Sequence, residues 1–364
     1  MKNSKKTRDF LIRLGLSLFN ILISLLIIET VLRVGFKDKI VLFPRYHTDA
    51  HYGEFTIRRI RSNAVFWHTS IDGSWKFTTN EQGFRNYQDF DYAKPEGVIR
   101  IASLGDSQTQ GFEVRQEYTY SAIIEKYLSR EGYLVEVMNT GVSGFSTSEE
   151  LVFLENELVK YQPDFVVLGF SSNDFEDNIR ADIFKLDKEN NLIVKNIEYI
   201  PGVKIQNFIY SMPFIPWLSE NSYAYSMLFN GVWGFYKNIS SKDAQDRVTE
   251  YAVSMQDDIP DFQVLYTSKL VERMYQFCQD HQIKLIIVYI PSMIGENVYQ
   301  SSFPPTMISI IENYSDANIN SAEVLSDYAG VAGIFVPHGD RHISEFTHIL
   351  LGVAISKRIE MLLK

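Results

Sequence analysis

From residue 97 to the C-terminus, apolar runs of strand length alternate with amphipathic stretches of helix length. That alternation leaves few options beyond an α/β domain with a mainly parallel sheet. The predicted strands are 98–104, 134–138, 165–168, 285–290 and 334–336, and helical patterns over 121–129, 149–160, 262–280 and 345–364 fill the gaps. Crossover connections of this kind pack helices on both faces of the sheet. Ligands in such sheets bind at the carboxyl ends of the strands, so the residues that directly follow each strand are the ones to read for chemistry.

Composition narrows the classes of partner. The 364 residues are 45% hydrophobic and 22% charged with 11 prolines, the make-up of a folded globular chain. With 35 Lys and Arg against 45 Asp and Glu, the formal charge is -10, the wrong sign for a phosphate backbone, and nucleic acid is not an expected partner. Cys278 is the single cysteine, which excludes an intrachain disulfide and any multi-thiolate metal site. Of its neighbours only His281 offers an activating cation, so Cys278 is a poor choice of nucleophile.

The charge is uneven. Residues 1–39 carry eight basic and three acidic side chains, a net +5, which leaves -15 on the rest. Within that basic segment Leu14 to Ile28 are fifteen residues without a charge. At about 1.5 Å per residue they give roughly 22 Å of helix, short of a hydrocarbon core of about 30 Å. A membrane span therefore has to continue through Glu29-Thr-Val-Leu-Arg33-Val-Gly-Phe36. Glu29 and Arg33, four apart with the acid first, stand in the order that favours mutual neutralisation, and both can snorkel to the outer interface. A cleaved signal peptide shares the basic start and the apolar stretch but calls for a small-residue cleavage site, and none follows Ile28. The expected organisation is a basic N-terminus over 1–9, a transmembrane anchor over 10–36, a lead-in over 37–96 and the α/β domain over 97–364. Five basic residues precede the uncharged stretch Leu14 to Ile28 and three follow it before residue 40. That bias predicts a single-pass protein of the cytoplasmic membrane, its N-terminus cytoplasmic and its body periplasmic or extracellular.

Two stretches depart from the alternation. Residues 40–96 hold alternating and aromatic segments such as Trp75-Lys-Phe-Thr-Thr, with turn signals at Asp72-Gly73 and Gln82-Gly83, and are expected to form a small β-rich unit. Residues 179 to about 260 form an insertion dense in Trp217, Tyr223, Tyr225, Phe229, Trp233, Phe235 and Tyr236. These are read as the core of a small cap in preference to a substrate wall or a membrane-facing patch.

The first strand runs into Leu104-Gly105-Asp106-Ser107-Gln-Thr-Gln-Gly111, a tight strand-to-helix turn that places a serine hydroxyl at the sheet edge and its N–H at a positive helix terminus. The rival role for Ser107 is a helix cap. The second strand ends in Asn139-Thr-Gly141-Val-Ser-Gly144-Phe-Ser-Thr, whose glycines let backbone N–H groups approach a ligand closely. The third ends in Gly169-Phe-Ser-Ser-Asn173-Asp174, which puts a side-chain amide at a strand end where Asn and Asp also form turns. After the last predicted strand comes His338-Gly-Asp340-Arg-His342-Ile-Ser-Glu-Phe-Thr-His348. An Asp and a His two apart can hold one imidazole tautomer beside a serine whose proton it takes. The competing reading is a metal site of His338, Asp340 and His342, for which no other cluster supplies a further ligand. His348 is expected to pack under the last helix. Arg85, in Asn80-Glu-Gln-Gly-Phe-Arg85, is expected at a turn or on the surface, with contact to an anionic substrate as the alternative.

The four blocks, in this order and each after a strand, resemble the SGNH (GDSL-type) hydrolase superfamily over residues 97–364. The resemblance implies a flavodoxin-like three-layer α/β/α domain with Ser107 as nucleophile, His342 as general base and Asp340 as its orienting acid. It implies an oxyanion hole made by the N–H of Ser107, the N–H of Gly144 in preference to Gly141, and the side-chain amide of Asn173; donors so placed stabilise the charge of a tetrahedral intermediate. Ser171 stands where the common third block has glycine, and Thr347 where a glycine usually precedes the last histidine. The layout of anchor, lead-in and domain is similar to bacterial membrane-anchored members. No cofactor is required by such a mechanism.

The expected reaction is hydrolysis of an acetyl or short acyl ester on a cell-envelope glycan or lipid through an acyl-enzyme on Ser107. One alternative is an O-acyltransferase that passes the group to an envelope polysaccharide, with a membrane acyltransferase as partner. The two differ in whether the cap excludes water. The other alternative, a non-catalytic carbohydrate-binding module on the same fold, predicts a missing triad member or oxyanion donor, and none is missing.

Overall fold

The computed structural model describes residues 2–240, 261–295, 298–300, 303–328, 330, 333–339 and 342–364. It opens with one long helix, α1 (Lys2–Gly35). Within its stretch Thr7–Gly35 an 18-residue window has a mean hydropathy of 2.3 and no buried residue, so the helix is long and apolar enough to cross a membrane. Two antiparallel hairpins follow, as the alternating segments predict: β1 (His47–Tyr52) with β2 (Phe55–Ile60), and β3 (Val65–Ser70) with β4 (Gly73–Thr78), the latter turning at Asp72-Gly73.

The central sheet begins with β5 (Ile99–Gly105), followed by a single-turn helix α2 (Ser107–Gln110), α3 (Tyr120–Arg130), β6 (Val135–Asn139), α4 (Thr147–Asn156), β7 (Phe165–Phe170) and α5 (Asp174–Ala181). The insertion supplies β8 (Phe184–Leu186), β9 (Leu192–Val194), β10 (Glu198–Tyr199), α6 (Val203–Tyr210), α7 (Ile215–Asn221) and α8 (Tyr223–Ser240). The chain then returns through α9 (Asp261–Asp280), β11 (Lys284–Tyr289), a hairpin of β12 (Ser292–Gly295) and β13 (Val298–Gln300), α10 (Pro305–Asn313), β14 (Ala317–Asn320), α11 (Ser321–Val324) and α12 (Glu345–Leu363). The five strands lie in the order β14-β11-β7-β5-β6, all parallel. By order of appearance this is 2-1-3-4-5, the flavodoxin-like winding expected, with the switch in direction at β5.

Successive side chains of a strand point to opposite faces, and here both faces are covered. Ile101, Val167, Ile286 and Val288 pack with Ile124 and Leu128 of α3 and with Leu351, Ile355 and Ile359 of α12. On the other face Leu104, Val166, Leu168 and Ile287 pack with Leu151 and Leu154 of α4 and with Leu270 and Met274 of α9. The lead-in joins this second core through Phe55, Ile57, Phe66 and Phe77.

Four predicted strands match within two residues. The fifth does not: of 334–336 only Phe335 pairs, in an isolated antiparallel bridge to Ile343, and the fifth strand of the sheet is β14. Helix 149–160 also breaks, since α4 stops at Asn156 and the chain continues in a 3-10 turn over Leu158–Tyr161. In the insertion the cap expectation holds for Tyr225, Phe229 and Trp233, which stack with ring centroids 5.7 and 6.0 Å apart. It does not hold for Trp217 and Phe235, which are 61% and 68% exposed. The side chain of Tyr236 lies outside the described residues.

Candidate active site

The switch in winding opens a crevice at the carboxyl ends of β5, β6 and β7, and the three strand-end blocks meet there. Asp106 caps α2, its Oδ1 accepting from the Gln108 N–H at 2.8 Å, and Gly111 ends the helix in a left-handed conformation at φ 82°. Ser107 is thereby the first helical residue, with its hydroxyl turned to the C-terminal block.

His342 Nε2 lies 2.8 Å from Ser107 Oγ. Its Nδ1 bonds the carbonyl of Gly339. A carbonyl can only accept, so Nδ1 carries the proton and the Nε2 lone pair faces the serine hydroxyl. This is the tautomer that removes a proton from serine. Two further contacts hold the ring: the Ile343 N–H donates to Gln108 Oε1 at 3.0 Å, which ties the histidine segment to α2, and Phe112 packs on the imidazole at 4.6 Å. Asp340, the expected orienting acid, lies outside the described residues.

The metal reading is not favoured by where the histidines point. His338 takes Asp72, with Nδ1 2.8 Å from its Oδ1, whereas His342 takes Ser107. His348, expected to pack under the last helix, lies within α12 itself and faces Tyr120 of α3: it is fully buried, accepts from the Tyr120 N–H at 3.2 Å, and burial pulls its pKa down to about 3. Arg85 departs from expectation, being neither at a surface turn nor at a substrate site. It is buried, donates to the carbonyls of Gln110, Gly111 and Val114, and lies over the Phe77 ring, so it clamps the chain that follows α2.

The lead-in holds the second block. Arg58 of β2 makes a bidentate pair with Glu149, both contacts at 2.9 Å, and also donates to the Gly144 carbonyl. Gly144 is left-handed at φ 81°. Gly141 serves packing instead: a Cβ there would run into the backbone of Thr109 and Gln110, and its N–H is given to Asn139 Oδ1 at 3.2 Å. At the third strand end, Asn173 Nδ2 donates to Asp106 Oδ2 at 3.3 Å and to Asp177 Oδ2 at 3.0 Å. A cavity of about 340 Å³ opens beside His342, lined by Phe43, Arg45, Tyr46, His47, Phe112 and Ser143 among others. Arg45 is held on its wall by Asn230 of α8 at 2.9 Å and by the Phe229 and Trp233 rings.

Residues 103–252 match the GDSL-like lipase/acylhydrolase family. The chain carries a GDSL-like lipase/acylhydrolase domain. No curated protein matches it. Among solved structures, similarity extends to a lipase/acylhydrolase from Enterococcus faecalis (15% identity, 72% of this chain and 95% of that one, TM-score 0.39). It extends also to a psychrotrophic esterase from Pseudoalteromonas sp. (13%, 72% and 98%, 0.38) and to a catalytic mutant of an acetylxylan esterase from Geobacillus stearothermophilus (12%, 71% and 93%, 0.41). The activity that goes with the GDSL-like domain is hydrolysis of ester bonds.

Beneath the Ser107 turn of the GDSL-like domain lies a group of buried carboxyls: Asp106 and Asp174 from two of the sequence blocks, and Glu150, which has no marker in the sequence. Neither oxygen of Glu150, nor Oδ1 of Asp174, has a hydrogen-bond partner among the described residues. Burial raises all three pKa values, and the charges of Asp174 and Asp106 push Glu150 further, well above the usual carboxylate range. For a group whose folded pKa is raised, the folded state binds more protons than the unfolded one. Its stabilising effect is complete below the ordinary carboxylate pKa and is lost as pH rises through the folded value. Glu150→Gln is therefore expected to leave the melting temperature at pH 5 nearly unchanged and to raise it by several degrees at pH 8. A gain equal at both pH values in thermal denaturation scans rules out this proton-holding cluster.

Proposed function

We propose that the chain is a membrane-anchored serine esterase that removes an acetyl or other short acyl group from a glycan or lipid of the cell envelope. The observation that carries this reading is the 2.8 Å contact between Ser107 Oγ and an imidazole whose Nδ1–H is already committed to the Gly339 carbonyl. Ser107 attacks the ester carbonyl carbon while His342 Nε2 takes the hydroxyl proton. The N–H groups of Ser107 and Gly144 and the amide of Asn173 receive the oxyanion. Collapse expels the alcohol, which leaves with the proton from Nε2, and water repeats the sequence on the acyl-enzyme. The limited cavity favours a short acyl chain, and α1 favours a substrate at the envelope.

The test uses the full chain in detergent with p-nitrophenyl acetate, p-nitrophenyl decanoate and an O-acetylated polysaccharide. Steady turnover of the acetate, at least tenfold above the decanoate in kcat/KM, is expected, together with acetate release from the polysaccharide. A burst of one equivalent without turnover replaces the esterase by the O-acyltransferase. No acylation of Ser107 at all removes both.

A further inference from the structure

The insertion carries an apolar surface that ester hydrolysis does not use. Helix α8 has no charged residue from Tyr223 to Tyr236. One face, with Tyr225, Phe229 and Trp233, packs toward Arg45. The neighbouring face, about a quarter-turn round the helix, is equally apolar and lies open: Leu228, Val232 and Phe235 are 70%, 59% and 68% exposed and share a stripe at helical spacing. Phe214 before α7 and Trp217 within it extend the same character, at 77% and 61%. A helix apolar all round belongs inside a protein or in a membrane, and exposed patches of this kind mark an interface.

What covers the patch follows from where α8 starts. Its first turn is built onto α1: the Glu29 carboxylate accepts from the N–H groups of Tyr223 at 3.2 Å and Ala224 at 3.0 Å and from the Ser222 hydroxyl at 2.9 Å. An acid at a helix N-terminus is favourable against the helix dipole. Arg33 closes the joint, 2.7 Å from Glu29, 2.6 Å from the Asn221 carbonyl, with its guanidinium over the Tyr223 ring. The open apolar face is thus continuous with the end of the unburied apolar helix, and the two charges of that helix end are satisfied by the insertion.

We propose that α7 and α8 are seated in the bilayer leaflet at the C-terminal end of α1, with Leu228, Val232 and Phe235 among the acyl chains and Trp217 at the boundary with the headgroups. Tryptophan favours that boundary because its ring is apolar and its N–H polar. The inference rests on α1 being a membrane span. Its consequence for the enzyme is positional: the neighbouring face of α8 holds Arg45 on the cavity wall, so the active site is kept close to the membrane surface.

The full chain is reconstituted into nanodiscs of phosphatidylethanolamine and phosphatidylglycerol with a spin label on Leu228→Cys or Phe235→Cys. Cys278 is fully buried, so it does not compete for the label. Leu22→Cys in α1 and Lys188→Cys in the exposed β8–β9 turn serve as lipid and water references, and collision with oxygen is compared with collision with a water-soluble nickel chelate. The expected result is a label at 228 or 235 that resembles Leu22→Cys, open to oxygen and shielded from nickel at least fivefold relative to Lys188→Cys. Shielding from both quenchers means a second copy or another protein covers the face and overturns the proposal. Full nickel access at 228 and 235 with a shielded Leu22→Cys overturns it and leaves the anchor standing, while nickel access at Leu22→Cys removes the anchor and the proposal together. As a second readout on the unsubstituted chain, brominated acyl chains are expected to quench tryptophan fluorescence, and Trp217→Phe to lose the quenched share.

Discussion

Ser107→Ala and His342→Ala are each expected to lower kcat for p-nitrophenyl acetate by roughly 10⁴ to 10⁶, and the double variant is expected to lose little more than either alone. In the proposed mechanism the two groups act on one proton. Without the serine oxygen there is no nucleophile. Without Nε2, at 2.8 Å from that oxygen, the hydroxyl keeps its proton and attacks poorly. Residual rate over water then comes from the oxyanion donors and from substrate binding, which neither substitution removes. The measurement is steady-state and pre-steady-state hydrolysis, with the burst amplitude read separately from turnover. Losses that multiply in the double variant show that the two residues act in separate steps and sink the shared-proton mechanism. Both side chains are at the protein surface of the crevice, so thermal unfolding of the variants should match that of the parent.

Ser107 was legible in the sequence for a local reason. The Ser107 turn, the glycine-rich second block and the Asn173 block each follow a strand-length run rich in apolar residues, buried throughout in Phe165 to Phe170, and such runs mark strand ends. The fifth strand escaped because its four residues, Ala317–Asn320, contain one strongly apolar side chain, Ile319, and lie at the sheet edge. The segment 334–336 reads as a strand by composition, yet its fold-back onto Ile343 serves to deliver His342. What stayed hidden was everything joined across long sequence distances. Arg58 reaches Glu149 across 91 positions and Gln108 reaches Ile343 across 235, and neither pair has a local pattern. Arg85 was misplaced because its partners are backbone carbonyls, which leave no trace in a sequence. The apolar insertion was ambiguous for the opposite reason: a cap core and a membrane face have the same composition, and only the attachment of α8 to Glu29 and Arg33 separates them.

Asn173→Ala is expected to lower kcat by about 10² to 10³ with KM changed less than threefold, because an oxyanion donor is worth more in the transition state than in the ground state. The starting geometry makes this a demanding test. Both hydrogens of the amide are committed, one to Asp177 at 3.0 Å and one to Asp106 at 3.3 Å. The longer bond is the weaker, and Asp106 keeps its bond from the Gln108 N–H when it gives this one up. Transfer of that N–H from Asp106 to the developing oxyanion therefore exchanges the weaker of its two bonds for one that strengthens as charge appears. Asn173→Asp is expected to be worse than alanine, since an acceptor replaces the donor beside the Asp106 and Asp177 oxygens that it now serves. If alanine costs less than threefold in kcat, the amide serves only to bridge Asp106 and Asp177, and the oxyanion is left to backbone donors alone.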